Sequence, residues 1–196
     1  YSSTIYKFIK KRIRMGKIYT AIGLMSGTSM DGVDASLIRS DGVGQLTNIF
    51  NEYYEFDLEL HNKIVNLRNN ISTITDLKNY SEELINLEQK ITVFHGEIVN
   101  KILLKYKENI DLVGFHGQTI FHDRLNKITR QLGDGKLLSQ LNKVKVVYNF
   151  RQNDLKNGGQ GAPLTPIFHN LLSNMIYNKH NNKIFNILNI GGISNI

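Results

Sequence analysis

The run Met25-Ser-Gly-Thr-Ser-Met-Asp-Gly-Val-Asp34 holds two glycines, three hydroxyls and two carboxylates. Glycines let backbone N–H groups come close to an anion, hydroxyls add donors, and a carboxylate can hold magnesium. The segment therefore suits a phosphate. An ordinary hairpin turn uses the same residue types, and the chemistry alone leaves both readings open. The run is not a Walker A loop, since no Gly-x-x-x-x-Gly-Lys-Ser/Thr occurs, nor a nucleophile elbow, since it lacks the closing glycine after Ser29.

Three further segments carry polar groups at places where ligands bind. Gly114-Phe-His-Gly-Gln-Thr-Ile-Phe-His122 ends a buried apolar run, and ligands of α/β sheets sit beyond strand carboxyl ends. His116, Gln118 and Thr119 could donate there, or His116 could be a satisfied structural group. The spacing of His116 and His122 fits no helical metal pair. Gln131-Leu-Gly-Asp134 is a second polar cluster, which loop polarity explains equally well. The run from Asn149 to Pro163 contains Arg151, Asp154, Gln160 and three glycines. Asp154 could act as a general base and Arg151 could offset phosphoryl charge or bind a carboxylate. The bland alternative is a flexible glycine loop whose Asp caps a helical turn.

The elements that would position these groups follow from hydrophobic periodicity. Residues 18–25, 33–39 and 46–56 read as three strands joined by glycine-bearing turns, an antiparallel meander. The period then changes. Leu60, Ile64 and Leu67, and then Leu84, Leu87, Ile91, Phe94, Ile98 and Ile102, mark two helix faces. Strands are expected at 110–115, 129–132 and 144–148, with a short helix at 135–141. A polar loop is expected over 151–162. Pro163 suits the first turn of a helix carrying Leu164, Phe168, Leu171 and Met175, and 183–190 reads as a closing strand. The pattern is α/β, a mixed sheet with three antiparallel strands first and helices packed on it.

Composition narrows the class. The 196 residues are 41% hydrophobic and contain no cysteine and two prolines, which removes disulfide-stapled and thiolate-zinc readings and argues against disorder. No run approaches 18 apolar residues, so no membrane span is expected. The formal charge is +7, but Lys7, Lys10, Lys11, Arg12 and Arg14 supply most of it. The rest of the chain is close to balance, so nucleic acid is not an expected partner. Residues 1–14 read as a basic leader outside the fold, 15–182 as a first lobe, and 183–196 as the opening strand of a truncated second lobe.

Taken together, residues 23–34, 114–122, 131–134, 149–164 and 189–195 resemble the anhydro-N-acetylmuramic acid kinases. Met-Ser-Gly-Thr-Ser-x-Asp-Gly-x-Asp and Gly-Gly-Gln-Gly-Ala-Pro-Leu are hallmark strings of that family. The resemblance implies an actin/hexokinase (ribonuclease H-like) ATPase fold and a cytoplasmic enzyme. Its substrates would be ATP, water and anhydro-N-acetylmuramic acid. The anhydro ring opens and O6 is phosphorylated, giving N-acetylmuramic acid 6-phosphate in cell-wall recycling. By position, Gly27, Thr28, Ser29, Met30, Asp31, Gly32, Val33 and Asp34 would form the ATP phosphate hairpin, with magnesium arriving with ATP near Asp31. His116, Gln118, Thr119, Gln131, Arg151 and Gln160 would line the sugar side, and Asp154 would be the base. Family members commonly carry Asp-Phe-Arg where this chain has Asn149-Phe-Arg151, and they run to nearly twice its length. The alternative is a catalytically inactive remnant that binds ligand weakly.

Overall fold

The protein is described from a computed structural model that covers residues 17–179 and 186–188. The leader at 1–14 lies outside the described residues. So does most of the expected strand at 183–190; Asn186–Leu188 within it are not in a strand.

Alternating apolar residues produce the meander. β1 (Tyr19–Ser26) and β2 (Gly32–Ser40) pair antiparallel, and β2 pairs antiparallel with β3 (Leu46–Glu55). The buried side chains are every second residue: Ile22 and Leu24 on β1, Val33, Ala35 and Leu37 on β2. Asp41 closes the β2–β3 turn, its Oδ1 accepting from the N–H groups of Val43, Gly44 and Gln45.

Helical spacing then takes over. α1 (Leu58–Asn70) starts at Asp57, whose side chain accepts from Leu60 N–H and so satisfies one free donor of the first turn. α2 (Ile74–Asn79) is set by a reciprocal capping box between Thr73 and Asp76. α3 (Ser81–Lys105) follows; its 25 residues reach about 37 Å at ~1.5 Å per residue. Leu84, Leu87, Ile91, Ile98 and Ile102 form its buried stripe, joined there by Thr92 and His95.

β4 (Leu112–Asp123) lies parallel to β1, completing the order β3-β2-β1-β4-β5. It is much longer than the expected 110–115, because the strand continues past a bulge at His116–Gly117 to pair antiparallel with β5 (Ile128–Leu132). Gly117 makes this possible at φ +71°, where an added Cβ would lie 2.4 Å from the Leu132 carbonyl oxygen. α4 (Gly135–Asn142) begins at the Asp134 cap and packs on α3; β6 (Val146–Tyr148) pairs parallel with the first half of β4.

Two expectations need correction. The polar run after β6 is not all loop: α5 (Phe150–Lys156) occupies its first half, entered through Asn149 in a left-handed conformation. Asparagine tolerates that conformation better than most side chains. Nor does Pro163 open a helix. It follows a cis peptide bond within the loop, and Pro166 starts α6 (Pro166–Lys179) instead. One apolar cluster joins the sheet to α1, α3 and α4, running from Ile22 and Leu24 through Ile64, Ile91 and Phe115 to Leu138.

Candidate active site

The β1–β2 turn presents Thr28, Ser29 and Asp31 to solvent while its flanks are buried. Ser29 Oγ donates to Asp31 Oδ1 at 2.5 Å, the main cause holding the Asp31 carboxyl below its usual range, and the nearby Tyr53 hydroxyl lowers it further. Tyr53 is pushed up to about 12, by partial desolvation and then by the Asp31 charge, so it stays a phenol. Its ring lies over Gly32, where an added Cβ would come within 2.6 Å of the Tyr53 hydroxyl. The Met30 carbonyl accepts from His61 Nδ1 at 2.9 Å. Val33 is fully buried, so only its backbone could serve a ligand. Asp34 is exposed on β2, in register with Met25 on β1 and Tyr53 on β3.

The second half of the site gathers around Gly161. The Gly161 N–H donates to Asp154 Oδ2 at 2.7 Å, and the Gly161 carbonyl accepts from Arg151 Nη1, also at 2.7 Å. The backbone of one residue, through the peptide groups on either side of its Cα, thus fixes a carboxylate and a guanidinium one turn apart on α5. Arg151 Nε donates to His116 Nε2 at 2.8 Å, while His116 Nδ1 lies 2.6 Å from the Gly117 carbonyl. A carbonyl only accepts, so Nδ1 carries the proton and Nε2 is the acceptor. Burial, and then the Arg151 charge, lower the His116 pKa to about 4, and the ring is neutral. Both ring nitrogens are occupied, so His116 serves Arg151 before any ligand.

The remaining expected residues fall around these two centres. Gln118 is fully buried and donates to the Gly27 carbonyl at 3.0 Å, which ties it to the hairpin rather than to an open sugar surface. Gln131 Nε2 donates to Thr129 Oγ1 at 2.7 Å and to Thr119 Oγ1 at 3.3 Å. Gln160 Oε1 accepts from Arg124 Nη1 at 3.1 Å. Asp134 caps α4 through Lys136 and Leu137 N–H, a structural task.

Sequence reasoning passed over Tyr53, His61, Arg124 and His95. The first three act on the site from neighbouring elements with no local motif. His95 left one trace, a polar ring on the apolar stripe of α3. Two open grooves between α1 and α3, lined by residues such as Lys63, Tyr80 and Lys90, share no residue with either centre. Among the described residues no group of three or more His, Cys, Asp or Glu converges as a metal site.

Residues 19–196 match the family described as anhydro-N-acetylmuramic acid kinase. A protein of that name from Pelagibacter ubique (strain HTCC1062) is 55% identical over 185 residues, covering 93% of this chain and 48% of the relative. One from Agrobacterium fabrum is 39% identical over 186 residues, covering 93% and 49%; one from Brucella canis is 37% identical over 190, covering 93% and 49%. The chain spans about half the length of these relatives. With the hallmark strings seated on a mixed sheet of the actin/hexokinase-like ATPase fold, and the match running from β1 onward, this chain belongs to the anhydro-N-acetylmuramic acid kinase family.

Proposed function

We propose that this chain supplies the first lobe of a cytoplasmic, ATP-dependent kinase that opens and phosphorylates anhydro-N-acetylmuramic acid. Water attacks the anomeric carbon, the bond from that carbon to O6 breaks, and O6 takes the γ-phosphoryl group as ADP leaves. The products are N-acetylmuramic acid 6-phosphate and ADP. The observation that carries this reading is the double clasp on Gly161. It holds Asp154 by one oxygen only, and Oδ1 has no partner among the described residues. That oxygen is placed to take the proton of the attacking water, a contribution typically worth ~10²–10⁴ in rate.

Arg151 keeps Nη2 without a hydrogen bond among the described residues. It offers a fixed positive charge to the lactyl carboxylate of the sugar or to the phosphoryl group. On the other side, the backbone N–H groups and hydroxyls of 27–32 face the ATP phosphates. Magnesium would arrive with the nucleotide, and the exposed Asp31 carboxylate is the hard oxygen ligand available near it. Phosphoryl transfer depends mainly on positioning and charge neutralisation, which is what two rigidly held loops supply.

The test is product identification. The chain, alone and mixed with the second half of a relative, is incubated with magnesium, ATP and the anhydro sugar. Mass spectrometry is expected to find the sugar increased by one water and one phosphoryl group. Unchanged sugar in both arms would reject the kinase and leave the binding-only remnant.

A further inference from the structure

The hairpin turn is exposed but its root is not, and the groups that fix the root come from elsewhere in the chain. Ser26, the last residue of β1, is 1% exposed, with Oγ 3.2 Å from His95 Nε2. His95 is completely buried in the middle of α3, its Nδ1 2.7 Å from the Ile91 carbonyl oxygen. Because that oxygen only accepts, Nδ1 carries the ring proton and Nε2 accepts from the Ser26 hydroxyl. Phe94 and Phe115 stand against the ring, with centroids 6.4 and 4.9 Å away.

The next residue is held from another side. The Gly27 carbonyl accepts from Gln118 Nε2, and Gln118 is fully buried on β4. Turning the amide over would face oxygen to oxygen, so the orientation is set, and it leaves Gln118 Oε1 buried without a partner among the described residues. An apolar side chain would fill either place without that desolvation penalty. What the polar groups add is the position of Ser26 and Gly27.

Resting on the reading of 27–34 as the ATP phosphate hairpin, we infer that His95 and Gln118 are positioning residues for the nucleotide. They anchor two consecutive residues at the hairpin root and thereby aim the N–H groups beyond it. Neither contacts the ligand.

The test compares His95→Leu, His95→Gln, Gln118→Met and Ser26→Ala with the parent chain. Calorimetry gives the dissociation constants for Mg-ATP and for the anhydro sugar. Hydrogen exchange of the Met30 amide, which bonds the Gly27 carbonyl at 3.3 Å, is followed with no ligand present. His95→Leu and Gln118→Met are each expected to weaken Mg-ATP about tenfold, the scale of one lost hydrogen bond, with sugar binding unchanged and Met30 exchange faster. His95→Gln, which can still accept from Ser26, recovers most of the loss, and Ser26→Ala combined with His95→Leu is no worse than either alone.

Unchanged Mg-ATP affinity in His95→Leu and Gln118→Met would overturn the inference. So would equal loss of nucleotide and sugar binding, the mark of general damage. If His95→Leu does not fold, Gln118→Met and His95→Gln decide. If the parent chain binds no Mg-ATP either alone or mixed with the second half of a relative, the hairpin reading fails by itself, and unaltered Met30 exchange in the variants would separately reject the anchoring.

Discussion

His95 and His116 are both neutral rings with the proton on Nδ1, one directed at the Ile91 carbonyl and the other at the Gly117 carbonyl. Burial is the leading cause in each case and brings each pKa from 6.5 to about 4. Between those values the unfolded chain binds protons that the folded chain refuses. Stability therefore rises with pH across this window, is present in full above 6.5, and is lost as pH falls towards 4. The contribution is up to about 3 kcal/mol per ring. The lowered carboxylates Asp31, Asp41, Asp76 and Asp123 start from 3.8 and act mainly below this window, while exposed Glu59, held down by Lys63, starts from 4.5 and adds only at its acid edge. Urea midpoints taken from about pH 4.5 to 7 are expected to climb, and a flat profile would contradict the neutral rings. Neither environment was legible in the sequence. His116 stood out by its motif, but its commitment to Arg151 depends on a contact across 35 residues that no local pattern encodes.

At the scale of elements, the site depends on β4 continuing past the bulge at Gly117 within its motif. His116 and Gln118 lie on either side of Gly117, the first holding Arg151 and the second holding the hairpin. Gly117→Ala would put a methyl group against the Leu132 carbonyl in a backbone conformation unfavourable to alanine. Destabilisation by about 2 kcal/mol or more is expected, with loss of β4–β5 pairing seen as faster exchange of the Gln118–Leu132 ladder. Wild-type stability in this variant would show that the strand does not need its glycine. Periodicity revealed the meander and both long helices because each has one buried face. It missed α5, since Phe150-Arg-Gln-Asn-Asp-Leu-Lys buries little besides Leu155 and so carries no stripe. It misplaced the start of α6 by choosing the first proline of the pair, where loop geometry favours the second.

Across the whole molecule, the two centres are joined by one continuous sheet, and the β1–β4 pairing brings Ser26 level with Gln118. The same core that buries Ile22, Ile91 and Phe115 also buries His95, so the hairpin root is fixed by the packing of the domain. The hallmark strings overlap both candidate centres in the sequence. The anchoring of the hairpin root became visible only in the fold, because it runs through side chains 69 and 91 residues apart. No helix among the described residues is long and apolar enough to cross a membrane.

The measurement that tests the central claim most directly is ADP release with ATP, magnesium and anhydro-N-acetylmuramic acid, run beside Asp154→Asn. The chain is assayed alone and with the second half of a relative. Asparagine preserves the acceptor for Gly161 N–H and removes only the basic oxygen. The account predicts sugar-dependent ADP release that falls by ~10² or more in Asp154→Asn while Mg-ATP binding persists. Sugar-dependent turnover that survives in Asp154→Asn would contradict it and move the base elsewhere.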